Sequence, residues 1–270
     1  MARKYKKMND IEIAVAREQY VVRANAMVQK SRFDLSFAEQ RAVMYAISLI
    51  QPNRDELTYE FDIREYARVC GLDEDAGKVY EDTRSLLQGL RDRSWWLEQE
   101  DGSEVTVAWF NKIRMTRSRG KVLVEFDRDM MPYILDILDN YTQYRLMNTL
   151  AMKSVYSVRV YELLISHSWR SKQRAGKTGD AVFTRETFEI DELKKRLNAH
   201  KTKSYANFYD FKKRVLEVAK QEINQYTDIE IDYTPIKKGN KVIKIEFLIK
   251  YKGQGDRISA MNEVSSTLDN

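Results

Sequence analysis

A single cysteine, Cys70, leaves this 270-residue chain no partner for an intramolecular disulfide, so a packed core has to hold the fold together. At the end of a helical pattern, that thiol reads as a small buried core residue. Histidine is almost as scarce. His167 and His200 have no metal-ligand spacing and no neighbouring cysteine, which excludes a zinc site or a histidine-paired metal nuclease. The carboxylates are many, but none form the spaced cluster of a two-metal site, and most read as solvated partners of lysine and arginine. No apolar run approaches the roughly 18 residues needed to span a bilayer, and the N-terminus MARKYKKMND lacks the apolar segment of a signal peptide; the expectation is a cytoplasmic protein without a membrane partner. Gly176-Lys177-Thr178 resembles the end of a phosphate loop, but Ser171 stands where that loop needs a glycine, so the stretch reads as a surface loop. Tyrosines are abundant, yet nothing beside them supports a DNA-cleaving nucleophile. These absences point to a protein that is not an enzyme and needs no cofactor.

What is present suits globular domains. The chain is 43% hydrophobic and 11% aromatic, enough for packed cores at a length that fits two modest domains. Its net charge of +5 is compatible with a polyanionic partner without demanding one, so the placement of charge matters more than the total.

The most informative stretch is 201–252. From Asn207 to Tyr226, Phe208, Phe211, Val215, Val218, Ala219 and Ile223 recur at helical spacing and make a core-facing stripe. Projected at about 100° per residue, the outer face carries Asp210, Lys213, Arg214, Glu217, Lys220, Gln221 and Asn224, with Lys212 at the core boundary. Lys201, Lys203, Ser204, Tyr205, Asn207 and Tyr209 lie at its entry. Two alternating runs follow, Ile229 to Tyr233 and Val242 to Ile249, joined by a tip from Pro235 to Asn240 with Lys237 and Lys238, and Lys241 just beyond. A helix followed by a basic-tipped hairpin is a winged helix, in which the helix can enter a DNA major groove while the tip lysines reach phosphates.

The first half follows the same plan. Ser36-Phe37-Ala38-Glu39 is a capping box opening a helix to about Ile50. Leu57 to Phe61 alternates like a strand, and Asp62 caps a helix reaching Gly71. A helix from Lys78 to Arg93 turns Val79, Thr83, Leu86, Leu87 and Leu90 inward and Arg84, Gln88 and Arg91 outward. Strands are expected over 95–98, 105–115 and 121–126, with Lys112, Arg114, Arg117, Arg119 and Lys121 forming a second basic wing. Tyr59-Glu60-Phe61-Asp62 corresponds to Phe188-Glu189-Ile190-Asp191, and Tyr80 and Asp82 to Phe208 and Asp210, which argues for duplication of one domain plan. The second copy carries an extra loop, Arg170 to Lys177. The expected fold is α+β: a flexible start over 1–20, a first winged-helix domain over 21–138, a linker over 139–152, a second domain over 153–252 and a flexible tail over 253–270.

Three blocks carry a resemblance. Asn25 to Val28 with Leu35 to Arg41, then Met152 to Leu164, then Phe208 to Glu217 with Glu222-Ile223-Asn224 and Lys237-Lys238-Gly239, are similar to the signature blocks of iteron-binding plasmid replication initiators, in the family's order from about residue 20 to 252. The resemblance implies tandem winged-helix domains that bind double-stranded origin DNA at repeated iterons, help open an adjacent A·T-rich segment and recruit the host helicase and initiator proteins. It also implies autorepression on an inverted repeat by a homodimer in equilibrium with monomer. The second-domain helix would be the main base reader, through Lys213 and Arg214, with Lys212 reaching phosphate. Arg32, the Arg84 to Arg93 face and the first wing would contact mainly backbone. Rival readings are a winged-helix repressor with no replication role and a tyrosine nicking initiator; plasmid maintenance would decide against the first, and absence of nicked product against the second.

Overall fold

The structure, a computed structural model, describes residues 8–30, 34–50, 57–72, 76–98, 101–135, 137, 140–178 and 183–269, with backbone alone at 76, 98, 119 and 169–178. The chain begins with α1 (Asp10–Arg17), β1 (Tyr20–Ala24) and α2 (Asn25–Lys30). Next, α3 (Phe37–Ser48) starts at the expected capping box: the Glu39 amide donates to Ser36 Oγ, and Glu39 accepts from the Ser36 amide at 2.8 Å.

Each half then repeats one module. In the first, β2 (Thr58–Asp62) leads into α4 (Ile63–Val69), capped by Asp62, whose carboxylate accepts from the Arg64 amide at 2.8 Å. Helix α5 (Ala76–Arg91) follows, then a hairpin of β3 (Ser94–Glu98) and β4 (Glu104–Ala108), then β5 (Phe110–Thr116) and β6 (Lys121–Phe126). The long strand expected over 105–115 is broken at Trp109, whose buried indole packs on Trp95, so β4 and β5 belong to different sheets. Three short elements, α6 (Met131–Ile134), β7 (Tyr141–Arg145) and α7 (Met147–Leu150), lead to the long α8 (Val155–Thr178). In the second module β8 (Phe183–Glu189) leads into α9 (Ile190–Arg196). Next, α10 (Phe208–Phe211) passes through a π-turn, Lys212–Leu216, into α11 (Glu217–Tyr226), and β9 (Ile229–Lys238) pairs with β10 (Lys241–Tyr251). The final helix is α12 (Gln254–Asp269).

The sheets make the duplication explicit. Their strand orders are β2-β6-β5 and β8-β10-β9, so in each copy the last strand sits between the first and the second. The copies align at Ile63 and Ile190, the buried first residues of α4 and α9. Glu189, not Asp191, therefore occupies the place of Asp62, and no side chain caps α9 there. The apolar core runs without a break from Val21 through Phe126 and Tyr161 to Tyr251.

Several connecting segments differ from expectation. Of the stretch 139–152, read as a linker, the described part, 140–152, is packed: β7 pairs antiparallel with β1, Tyr144, Leu146 and Leu150 are buried, and Asn148 donates to Tyr161 Oη at 2.7 Å and Asp228 at 3.1 Å. Beside it, buried Arg23 forms an ion pair with buried Glu162, which also accepts from Tyr144. A buried pair of this kind costs much if one partner is removed, because the other charge is then stranded. Residues 170–177, read as a loop, continue α8. The ends of the chain are also ordered where described. Arg17 of α1 is buried and donates to the Val69 carbonyl at 3.0 Å and to Asp269 at 2.8 Å. Helix α12 buries Ala260 and Val264 and accepts from Gln225 at Glu263. At Gly71, with φ of +62°, a β-carbon would lie 2.8 Å from the Leu268 carbonyl oxygen, so the tail helix docks against backbone that only glycine provides.

Candidate nucleic-acid interface

In the second copy the helix before the wing starts at Phe208. The Asn207 side chain accepts from the Tyr209 amide at 2.9 Å, so this residue, expected at the DNA face, is the helix N-cap. Tyr209 is 64% exposed, and Lys203 and Ser204 are exposed before it. Tyr205 is not part of that surface. It is only 9% exposed, with its ring edge-on to Tyr156 at 5.7 Å and to Phe211 at 6.2 Å, because the short turns before the helix fold its ring inward. Lys201 is exposed and faces Asp34 across 4.0 Å.

The π-turn changes what the next residues show. Its i→i+5 bonding inserts a residue between buried Phe211 and buried Val215 and Leu216, so Lys212, Lys213 and Arg214 are all exposed. A uniform 100° projection puts Lys212 at the core boundary; it is 47% exposed and lies 3.7 Å from Glu217. In a regular helix residues five apart point about 140° away from each other. Here they meet. Lys213 and Arg214 have no ion-pair partner among the described residues.

Beyond the turn, the face expected to point at solvent is laced to β9. Tyr233 Oη donates to Glu217 at 2.7 Å, Lys220 donates to Asp232 at 2.7 Å, and Asn224 exchanges two hydrogen bonds with the Ile231 backbone at 3.1 and 2.7 Å. Lys220 holds the Asp232 carboxyl below its ordinary pKa. Lys220, expected at the DNA face, is thus engaged by the wing's own strand, while Gln221 remains exposed. These long-range bonds leave no mark in a helical projection.

The wing is longer than the sequence suggests. Strands β9 and β10 pair to Lys238 and Lys241, with Gly239 (φ +60°) and Asn240 as a two-residue turn. Pro235 lies within β9, opposite Ile245, which is tolerated because β9 is an edge strand. Lys237, Lys238 and Lys241 are exposed at the tip. In α9, burial lowers the pKa of Lys194, with Asp191 opposing and the like charge of Lys241 adding to the effect. This cation, absent from the expected set, lies over the Phe211 ring at 5.3 Å.

The first copy is arranged differently. Arg84, Gln88 and Arg91 of α5 are exposed as expected, but Arg84 lies 3.7 Å from Glu81 and Arg91 3.5 Å from Asp92. Arg117, 78% exposed in the turn between β5 and β6, leans back over the Tyr80 ring and lies 3.6 Å from Glu81. Lys112 and Arg114 are exposed on β5, and Lys121 is half-buried at the start of β6. Arg119 shares the turn of Arg117, with only its backbone described, and Arg32 lies outside the described residues.

Two modules that each pack a helix against a three-stranded sheet ending in a basic hairpin define a tandem winged-helix protein. The chain belongs to the replication initiator family: it matches "Initiator Replication protein, WH1" over residues 20–165 and "Initiator Rep protein, WH2" over 189–249. A "Replication initiation protein" of Escherichia coli is 22% identical over 254 residues, covering 90% of this chain and 73% of the relative. The solved Pi initiator protein, in complex with iteron DNA, shares 20% identity and a TM-score of 0.69, over 87% of this chain and 98% of that one, which shows a common fold. Among the described residues no helix is long and apolar enough to cross a membrane.

Proposed function

We propose that this protein initiates plasmid replication by binding repeated duplex sites in an origin, with the second copy choosing the sequence and the first gripping backbone. The observation that carries this reading is the exposure of Lys213 and Arg214, free of acidic partners among the described residues, on a helix tied to a wing whose tip presents Lys237, Lys238 and Lys241. Arginine suits the task because its planar donors can engage guanine O6 and N7 together. On this reading Lys203, Ser204, Tyr209 and Gln221 complete the second-copy surface, and Lys112, Arg114, Arg117, Arg119 and Lys121 with the α5 face contact phosphates. The initiator opens an adjacent A·T-rich segment, recruits host replication proteins in the cytoplasm, and as a dimer on an inverted repeat represses its own gene. It acts by binding and not by cutting DNA.

The test is a plasmid carrying the gene with its upstream repeats and no other origin. Autonomous maintenance that is abolished by Arg214→Ala supports the proposal. Repression of a reporter without maintenance would reduce the protein to a repressor, and nicked supercoiled product would make it an enzyme.

A further inference from the structure

Among the exposed cations of the second-copy helix stands one acid that is held in place. Glu217 follows the π-turn, with its carboxylate half-exposed. Its Oε1 accepts from Tyr233 Oη at 2.7 Å, and Lys212 Nζ lies 3.7 Å from the same oxygen. Burial, and then the hydrogen bond to Glu217 and its charge, push the Tyr233 phenol above its ordinary pKa, so tyrosine is the donor at neutral pH. Tyr233 is in turn fixed against Phe247 in the sheet, 6.1 Å between ring centres. A surface glutamate would normally sample several rotamers; this one is clamped between helix and wing.

A carboxylate on a face that approaches DNA is repelled by phosphate, so it costs affinity on every sequence unless it meets a donor. In the major groove, the donor a carboxylate accepts from is the exocyclic amino group of cytosine. We propose that Glu217 is a specificity-determining residue that accepts from a cytosine amino group, and that Tyr233 is the positioning residue that aims it. One carboxylate oxygen serves Tyr233 and the other is left for the base. This inference rests on the proposed reading of the second-copy helix as the sequence reader.

The experiment is selection from a pool of duplexes of randomised sequence, with the full chain and its Glu217→Gln, Tyr233→Phe and Arg214→Ala variants. Glutamine keeps the shape and can still accept from Tyr233, but its amide pairs with adenine N6 and N7. The expected result is that Glu217→Gln exchanges cytosine for adenine at one position, a change of about tenfold in base preference, while binding to unrelated duplex tightens. Tyr233→Phe should weaken the cytosine preference without creating one for adenine. A Glu217→Gln protein that selects the same sequence as the parent, while Arg214→Ala alters the selection, would overturn this inference alone. No change from Arg214→Ala either would overturn the reading beneath it as well. Loss of all binding in Glu217→Gln with Tyr233→Phe unaffected would mark Glu217 as purely structural and also overturn the proposal.

Discussion

The two copies share strand order and helix placement, yet they treat their positive charge in opposite ways. In the first, acids on and just after α5 answer the arginines around it: Glu81 lies near both Arg84 and Arg117, and Asp92 near Arg91. In the second, Lys213, Arg214 and the wing-tip lysines stand without such partners among the described residues, and the acids nearby are tied to Lys212 and Lys220. On the proposed reading, a fold is duplicated while the work is divided. An arginine already near an acid gains less from a phosphate and has less freedom to reach a base edge. On that reading the first copy suits general adhesion and the second discrimination.

Removing the side chains that would carry the discrimination should break this contrast most severely. Replacing Lys213 and Arg214 together by alanine is expected to cut the preference for selected over random duplex by about a hundredfold, since each well-formed base contact is worth about 1 to 3 kcal/mol. Competition binding at fixed salt measures it. Two exposed arginines of the first-copy helix, Arg84 and Arg91, should change that preference little when replaced together; an equal drop from both would erase the division of labour.

Tyr205 sharpens where the second-copy surface ends. Because its ring is buried between Tyr156 and Phe211, Tyr205→Ala should destabilise the protein by about 3 kcal/mol, as truncation of a core aromatic does. Urea unfolding reads the change. Phenylalanine at the same position should restore stability and leave DNA binding intact; reduced binding with unchanged stability would return Tyr205 to the reading surface.

How much of this the sequence discloses depends on range. The capping box at Ser36, the cap at Asp62 and the core stripe through Phe211, Val215 and Ile223 are written in residues a few positions apart, the duplication in short blocks that recur in order, and the structure has them. The π-turn is not, because no residue type demands it, so a uniform helical projection misplaces Lys212. The ties from Glu217 to Tyr233 and from Asn224 to Ile231 cross from helix to strand, and nothing in either element alone announces them. The tail is illegible for a related reason. Helix α12 buries only the narrow stripe of Ala260 and Val264, and what fixes it, Leu268 against Gly71 and Asp269 against Arg17, comes from the far end of the chain. The stretch 139–152 looks like a connector because its polar residues, Asn148 and Thr142 among them, are satisfied by partners distant in sequence.

The wings offer a finer comparison. For every phosphate that a variant leaves un-neutralised, the slope of log affinity against log salt should become shallower by about 0.9. Alanine at Lys237, Lys238 and Lys241 is expected to release two to three phosphates, on the order of 2 units of slope. Alanine at Lys112, Arg114 and Arg117 should release fewer, because Arg117 already leans on Glu81 and Tyr80. Titrations across a salt series check this, and equal slopes from the two triple variants would break the asymmetry.

The smallest effect is the most pointed. Glu81 sits between Arg84 at 3.7 Å and Arg117 at 3.6 Å, with all three side chains well exposed. Pairs so loose and so wet contribute little to folding, so Glu81→Gln should leave the melting temperature nearly unchanged. It would nevertheless free two arginines and remove a negative charge from the face of the first copy. Affinity for random duplex should rise, by about threefold at low salt and less as salt screens the added attraction, while the preference for selected sequence falls, because tighter binding to random duplex narrows the gap between them. If Glu81→Gln changes neither, then α5 does not approach the backbone at all. The pairing of its arginines would then be a way of keeping a basic surface soluble, and contact with DNA would fall to the second copy and the strand residues Lys112 and Arg114.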